Sequence, residues 1–224
     1  MPGYNPNVGA DASRAVAEVL GAFSVGERLA HRRAQEAVAM APDERTRKAQ
    51  LHVAEREAQN AALVGARVRE IGSPELEEAF RPFFEAFFER TEPADWLEAQ
   101  AFHYVGDALV RDLADALSPR LDAVSAEVVR RALSDRDEQE SFALDEISRR
   151  LEEDPGAAER LAAYSRRVIG EALTQTRRAL DDTDALRSLL GGEEGEKRLL
   201  LDLLQRHRVR LDRMGVESID EPVE

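Results

Sequence analysis

The stretch Val16-Ala-Glu-Val-Leu-Gly-Ala-Phe-Ser-Val-Gly-Glu-Arg-Leu-Ala-His-Arg-Arg-Ala34 decides the fold. Within it Val16, Leu20, Phe23, Glu27, Ala30 and Ala34 recur at intervals of three and four. That is the period of one helix face turned toward a core. Glu27 stands inside this apolar stripe. A carboxylate there must be paired, protonated or bound to a metal, because an unpaired buried charge is costly. On the next helix Leu51, Glu55, Ala58 and Ala62 repeat the pattern. Two inward glutamates on adjacent helices are what a helical bundle uses to hold metal ions.

Composition agrees with an all-α chain. Of 224 residues, 43% are apolar and only 5% aromatic. Leu, Ala, Arg and Glu dominate, which favours helices over sheets. The absence of cysteine excludes disulfides, thiolate metal sites and a cysteine nucleophile, and fits a cytoplasmic location. No apolar run approaches the roughly 18 residues of a membrane span, so no membrane association is expected. Residues 1–12 lack the features of a signal peptide and read as an irregular arm. The net charge of −14 makes specific nucleic-acid binding unexpected.

Capping signals divide the rest into helices. The first starts near Asp11 or Ser13 and ends near Met40. The second follows Pro42 and runs to Ile71, before Gly72-Ser73-Pro74. A shorter helix, with Ser73 as cap, carries Phe80, Phe83, Phe84, Phe87 and Phe88. These phenylalanines are expected to anchor it to the bundle and are candidates for a ligand pocket. Pro82 falls inside it, where a kink is expected. Later helices span about Thr91 to Leu117, Pro119 to Glu153, Ala157 to Leu180, Asp181 to Leu190 and Glu194 to Met214. Residues 13–215 form one domain, and 216–224 an acidic tail. The helix between Gly72 and Glu92 is long enough to carry the chain from one end of the bundle to the other. The second and third long helices are then parallel.

The stretch Thr91-Glu-Pro-Ala-Asp-Trp-Leu-Glu98, followed by Tyr104-Val-Gly-Asp107, resembles a ferritin-like family related to MiaE-type tRNA hydroxylases. Gly26-Glu27, Asp154-Pro-Gly156 with Arg166 to Leu173, and His207 to Gly215 fall in the same order. The resemblance implies a ferritin-like four-helix bundle with a long crossover, additional C-terminal helices and a non-haem di-iron centre that activates oxygen. Its ligands would be a carboxylate from each of two helices and a carboxylate-x-x-His from the other two. Glu27, Glu55 and Asp107 match the carboxylates, with Asp112 a competitor for the third helix. Asp135 and Glu138 have the fourth-helix spacing. Both imidazoles are missing: Ala58 stands where one belongs, and no histidine lies in Ser134 to Gln139.

Three readings of the site follow. A carboxylate-only site of Glu27, Glu55, Asp107, Asp135 and Glu138 suits Mg²⁺, Mn²⁺ or Ca²⁺ better than redox iron. A shifted site built on His31, His52 and His103, each one turn from a candidate carboxylate, suits zinc or iron. In the third reading the centre has decayed. No metal is held, and arginines such as Arg28, Arg56 or Arg136 balance the buried glutamates. The first two readings describe an oxidoreductase; the third describes a structural or binding protein. As a binding protein it would form a homodimer through the phenylalanine segment or through Leu199, Leu203 and Leu211.

Overall fold

The computed structural model describes residues 6–72, 75–134, 136–183, 187 and 189–216, with side chains from residue 13 onward. Among the described residues there are helices and no strands. The long elements are α1 (Pro6–Met40), α2 (Glu44–Ile71), α3 (Glu75–Arg90), α4 (Trp96–Ala101) and α5 (Asp107–Leu117). A π-helical turn, Phe102–Gly106, joins α4 to α5. After a short 3₁₀ turn (Ser118–Arg120) come α6 (Ala123–Ala132), α7 (Arg136–Glu153), α8 (Ala157–Asp181) and α9 (Glu193–Arg213).

Side-chain pairs fix the directions. Gln50 bonds the carbonyl of Ala34, and His31 bonds the carbonyl of Ala54, so α1 and α2 are antiparallel. Gln50 also meets Gln100 and His103, while Glu57 and Asp107 meet farther along at Arg136. The second and third long helices therefore run parallel, as the crossover predicts. Arg67–Asp122, Arg56–Glu138 and Arg45–Glu146 return in the opposite sense, so α6 and α7 complete the four-helix core. α3 is the crossover. It runs alongside α1, with Glu77 bonded to Ser24 and Arg28 at one end and the Phe88 carbonyl bonded to Arg33 at the other.

Several local expectations need correction. α1 begins at Pro6, so residues 6–12 are helical and not an irregular arm. The expected arm residues 1–5, the cap at Ser73-Pro74 and most of the 216–224 tail lie outside the described residues. α2 is capped by Asp43, whose side chain accepts from the Thr46 amide while Thr46 bonds back. α3 runs unbroken through Pro82. The single helix expected from Pro119 to Glu153 is split into α6 and α7. Leu133 ends α6, and the Ser134 hydroxyl bonds the Arg131 carbonyl. Serine side chains compete with the helical ladder in this way. The break places Arg136 in the first turn of α7, pointed into the core.

The faces proposed for dimerisation are already used. Leu199, Leu203 and Leu211 are buried within the chain, as are Phe80, Phe87 and Phe88. The exposed apolar side chains of α9 are instead Leu201, Leu204 and Val209. No helix among the described residues is long and apolar enough to cross a membrane.

α3 approaches α1 closely because α1 offers glycine there. A Cβ on Gly21 would lie 3.0 Å from Leu76 Cβ and 3.1 Å from its carbonyl carbon. Gly21→Ala gains about 1 kcal/mol in helix propensity but forces two backbones apart, at about 1–3 kcal/mol. A net loss in the urea midpoint is expected. Gly170, exposed on α8 with open space around it, provides the control. Gly170→Ala is expected to raise stability by about 0.5–1 kcal/mol.

Between α1, α3, α5 and α8 lies a partly open pocket of about 130 Å³, bordered also by Leu190 and Leu199. Phe80, Phe83, Phe84 and Phe87 all line it. These rings thus both anchor α3 and bound a void.

Candidate functional site

The sequence places a carboxylate in the core at Glu27, and the structure keeps it there, with 2% of its surface exposed. The second carboxylate is Glu57, not Glu55. Glu55 faces solvent, as do Leu51 and Ala62 of the stripe assigned to it. The buried face of α2 is Thr46, Gln50, Val53, Ala54, Glu57, Val64, Gly65 and Val68. Its polar members hide it in the sequence. Extending Val64 and Val68 backward by threes and fours would have reached Glu57 and Gln50.

The third carboxylate is Asp107, which opens α5 directly after the π-helical turn. Such turns insert one extra residue per turn and are frequent at functional sites. Asp112 is buried too, but it faces α9. Arg210 holds it with two bonds of 2.7 and 2.9 Å, and Arg206 adds a third of 3.1 Å. It serves to dock α9.

The fourth-helix candidates do not reach the cluster. Asp135 lies outside the described residues. Glu138 is exposed and pairs with Arg56 at 3.2 Å. In their place α7 contributes Arg136, 2% exposed. Its Nη2 donates to Glu27 Oε1 at 2.8 Å and lies 3.5 Å from Glu57 Oε2, while its Nη1 is 4.0 Å from Asp107 Oδ1. One guanidinium thus stands among three carboxylates from three helices. A second α7 side chain, Gln139, donates to Asp107 Oδ2 at 2.9 Å.

The histidines separate. His31 donates Nδ1 to the Ala54 carbonyl at 2.8 Å. His52 is exposed on α2. Only His103 joins the cluster, donating Nδ1 to Asp107 Oδ2 at 2.9 Å. Its Nε2 is 3.0 Å from Gln50 Nε2, and Gln50 Oε1 accepts from Gln100 at 3.1 Å. With Gln50 donating, His103 is the neutral Nδ1–H tautomer. No shared coordination by His31, His52 and His103 is formed, and among the described residues no group of three His, Asp or Glu side chains is placed to hold a metal ion.

Charge balance requires a proton. Arg136 supplies one positive charge against Glu27, Glu57 and Asp107. Burial and the neighbouring Glu57 push the Glu27 carboxyl up to about 8, with Arg136 opposing. Drawn as carboxylates, Glu27 Oε2 and both Glu57 oxygens have no hydrogen-bond partner. A proton on Glu27 relieves its repulsion with Glu57 and halves the excess charge. Burial by itself lowers the Arg136 pKa, but the three carboxylates outweigh it and hold the guanidinium charged.

This donor set does not fit the di-iron centre implied by the resemblance. A metal pair needs the Glu27, Glu57 and Asp107 oxygens free to bridge, and the Arg136 guanidinium already lies among them. Cation repels cation most strongly in a dry interior. The one imidazole present, His103, turns its Nε2 to Gln50 and its Nδ1 to Asp107.

The stretches that carry the resemblance have structural work. Asp95 caps α4 by accepting from the Glu98 amide at 3.0 Å. Trp96 donates to buried Glu146 on α7, and Glu98 accepts from the Ala94 amide. Tyr104, Val105 and Gly106 form the π-helical turn, all buried.

A family model described as "Ferritin-like domain, actinomycetes" matches residues 10–193. No curated protein matches the chain.

Proposed function

The chain belongs to the ferritin-like domain family of actinomycetes, and we propose that it is a non-catalytic member with a structural or binding role. In it a guanidinium replaces the metal cations. The observation that carries this reading is Arg136, buried at 2% exposure and 2.8 Å from Glu27. An organic cation tethered to α7 offsets one of the inward carboxylate charges permanently. It offers no open coordination position and no redox change. On this reading the resemblance to MiaE-type tRNA hydroxylases is one of scaffold and not of chemistry.

Elemental analysis of protein purified without chelators tests the proposal, followed by titration with Mn²⁺ and Fe²⁺. The expected result is substoichiometric metal and no saturable binding. Two equivalents of iron or manganese per chain would restore the oxidoreductase reading. The two orphaned oxygens of Glu57 are where such binding would begin.

A further inference from the structure

We propose that the cavity between α1, α3, α5 and α8 is a binding site for a small uncharged aromatic group, about the size of a single six-membered ring. It stands independently of what Arg136 does. Three observations carry it.

The first is size. The cavity volume is about 130 Å³, close to the roughly 150 Å³ of an engineered apolar cavity that stays dry and takes up benzene. The second is wall chemistry. Among the described residues no ionisable side chain lines the space; Gln175 and Thr176 on α8 are its polar members. Gln175 is already engaged, donating to Glu171 and accepting from Arg178. A charged ligand would lose its hydration with nothing to replace it. The third is the concentration of rings. Phe23, Phe80, Phe83, Phe84 and Phe87 border one void, which offers a planar ligand edge-to-face and offset contacts. Arg178 lies 5.9 Å over the Phe83 ring.

Glycine shapes the floor. Gly26 and Gly106 both line the space. A Cβ on Gly26 would sit 3.1 Å from the Phe84 ring, and one on Gly106 would sit 3.3 Å from Phe102. Glycine at these two positions lets the rings close around the cavity without filling it. An aromatic ligand seated there removes apolar wall surface from water.

The test uses the full chain with benzene, toluene and benzoate as probes. Binding is read from the thermal midpoint and from NMR shifts of the methyl groups of Leu109, Leu113 and Leu199. Benzene at several times its half-saturating concentration is expected to raise Tm by about 2–4 °C, with shifts confined to cavity methyls. Benzoate is expected to do neither. Two independent filling variants, Ala172→Leu and Ala22→Leu, are each expected to raise the ligand-free Tm and abolish the response. The proposal is overturned if benzene and toluene leave both readouts unchanged, if benzoate matches them, or if the response survives undiminished in both filled variants.

Discussion

Arg136→Met lowers stability by about 3–5 kcal/mol at pH 8, because removing one partner of a buried ion pair strands the others. Methionine fills similar space without charge, so the loss reports electrostatics more than packing. In a chain of this size it corresponds to a fall in Tm on the order of 10 °C. The three carboxylates left behind repel one another, and protonation relieves that repulsion. The deficit is therefore expected to shrink as pH falls from 8 to 5. Adding Glu57→Gln to Arg136→Met removes one of the stranded charges and recovers part of the loss at pH 8. Chemical denaturation of the three proteins at both pH values measures this. A deficit below about 1 kcal/mol, or one independent of pH, would show that Arg136 does not neutralise the cluster.

The second large effect concerns Glu27. Its carboxyl is held at about 8, against an ordinary value of 4.5, by burial and by Glu57. A raised folded-state value means that the folded protein binds the proton more tightly than the unfolded chain. The associated stability is fully present below pH 4.5 and drains away as pH rises through about 8. The ceiling is about 5 kcal/mol across that window, at about 1.4 kcal/mol per unit. Glu27→Gln keeps the shape and removes the titration. The variant is expected to show a flatter stability profile over the same window and to exceed the parent above pH 8. Self-repulsion from the net charge of −14 acts nearly equally on both, so the difference between the two profiles isolates the site. Because the Glu57 charge helps to raise the Glu27 carboxyl, Glu57→Gln should flatten the profile as well. Parallel profiles for parent and Glu27→Gln would contradict the assignment.

The fold was legible because its signals are redundant. The α1 stripe from Leu20 to Ala34, the Pro and Gly punctuation at Gly72 and Pro155, and the length of α3 each point to the same bundle with a crossover. The site was legible where its neighbours are apolar. Glu27 stands out between Phe23 and Ala30, while Asp107 was reached through the resemblance carried by Tyr104-Val-Gly-Asp107, with Asp112 as its competitor. It was illegible where burial is polar. On α2 the inward face contains Thr46, Gln50 and Glu57, so periodicity favoured the wrong register, which runs through Glu55. Such a face folds because its members find polar or charged partners: Thr46 at the cap, Gln50 between Ala34 and His103, and Glu57 in an ion pair with Arg136. That network of partners is long-range and leaves no periodic trace. The break before Arg136 was hidden for a related reason. No glycine or proline stands between Leu121 and Glu153, yet the turn at Leu133 and Ser134 sets which α7 side chain enters the core.

The claim that a guanidinium stands where metal ions would bridge is tested most directly by crystals soaked in Mn²⁺, with anomalous diffraction recorded around Glu27, Glu57 and Asp107. No anomalous peak is expected among these carboxylates, and Arg136 should remain hydrogen-bonded to Glu27. A peak within about 2.3 Å of their oxygens, with Arg136 swung out of the core, would contradict the account.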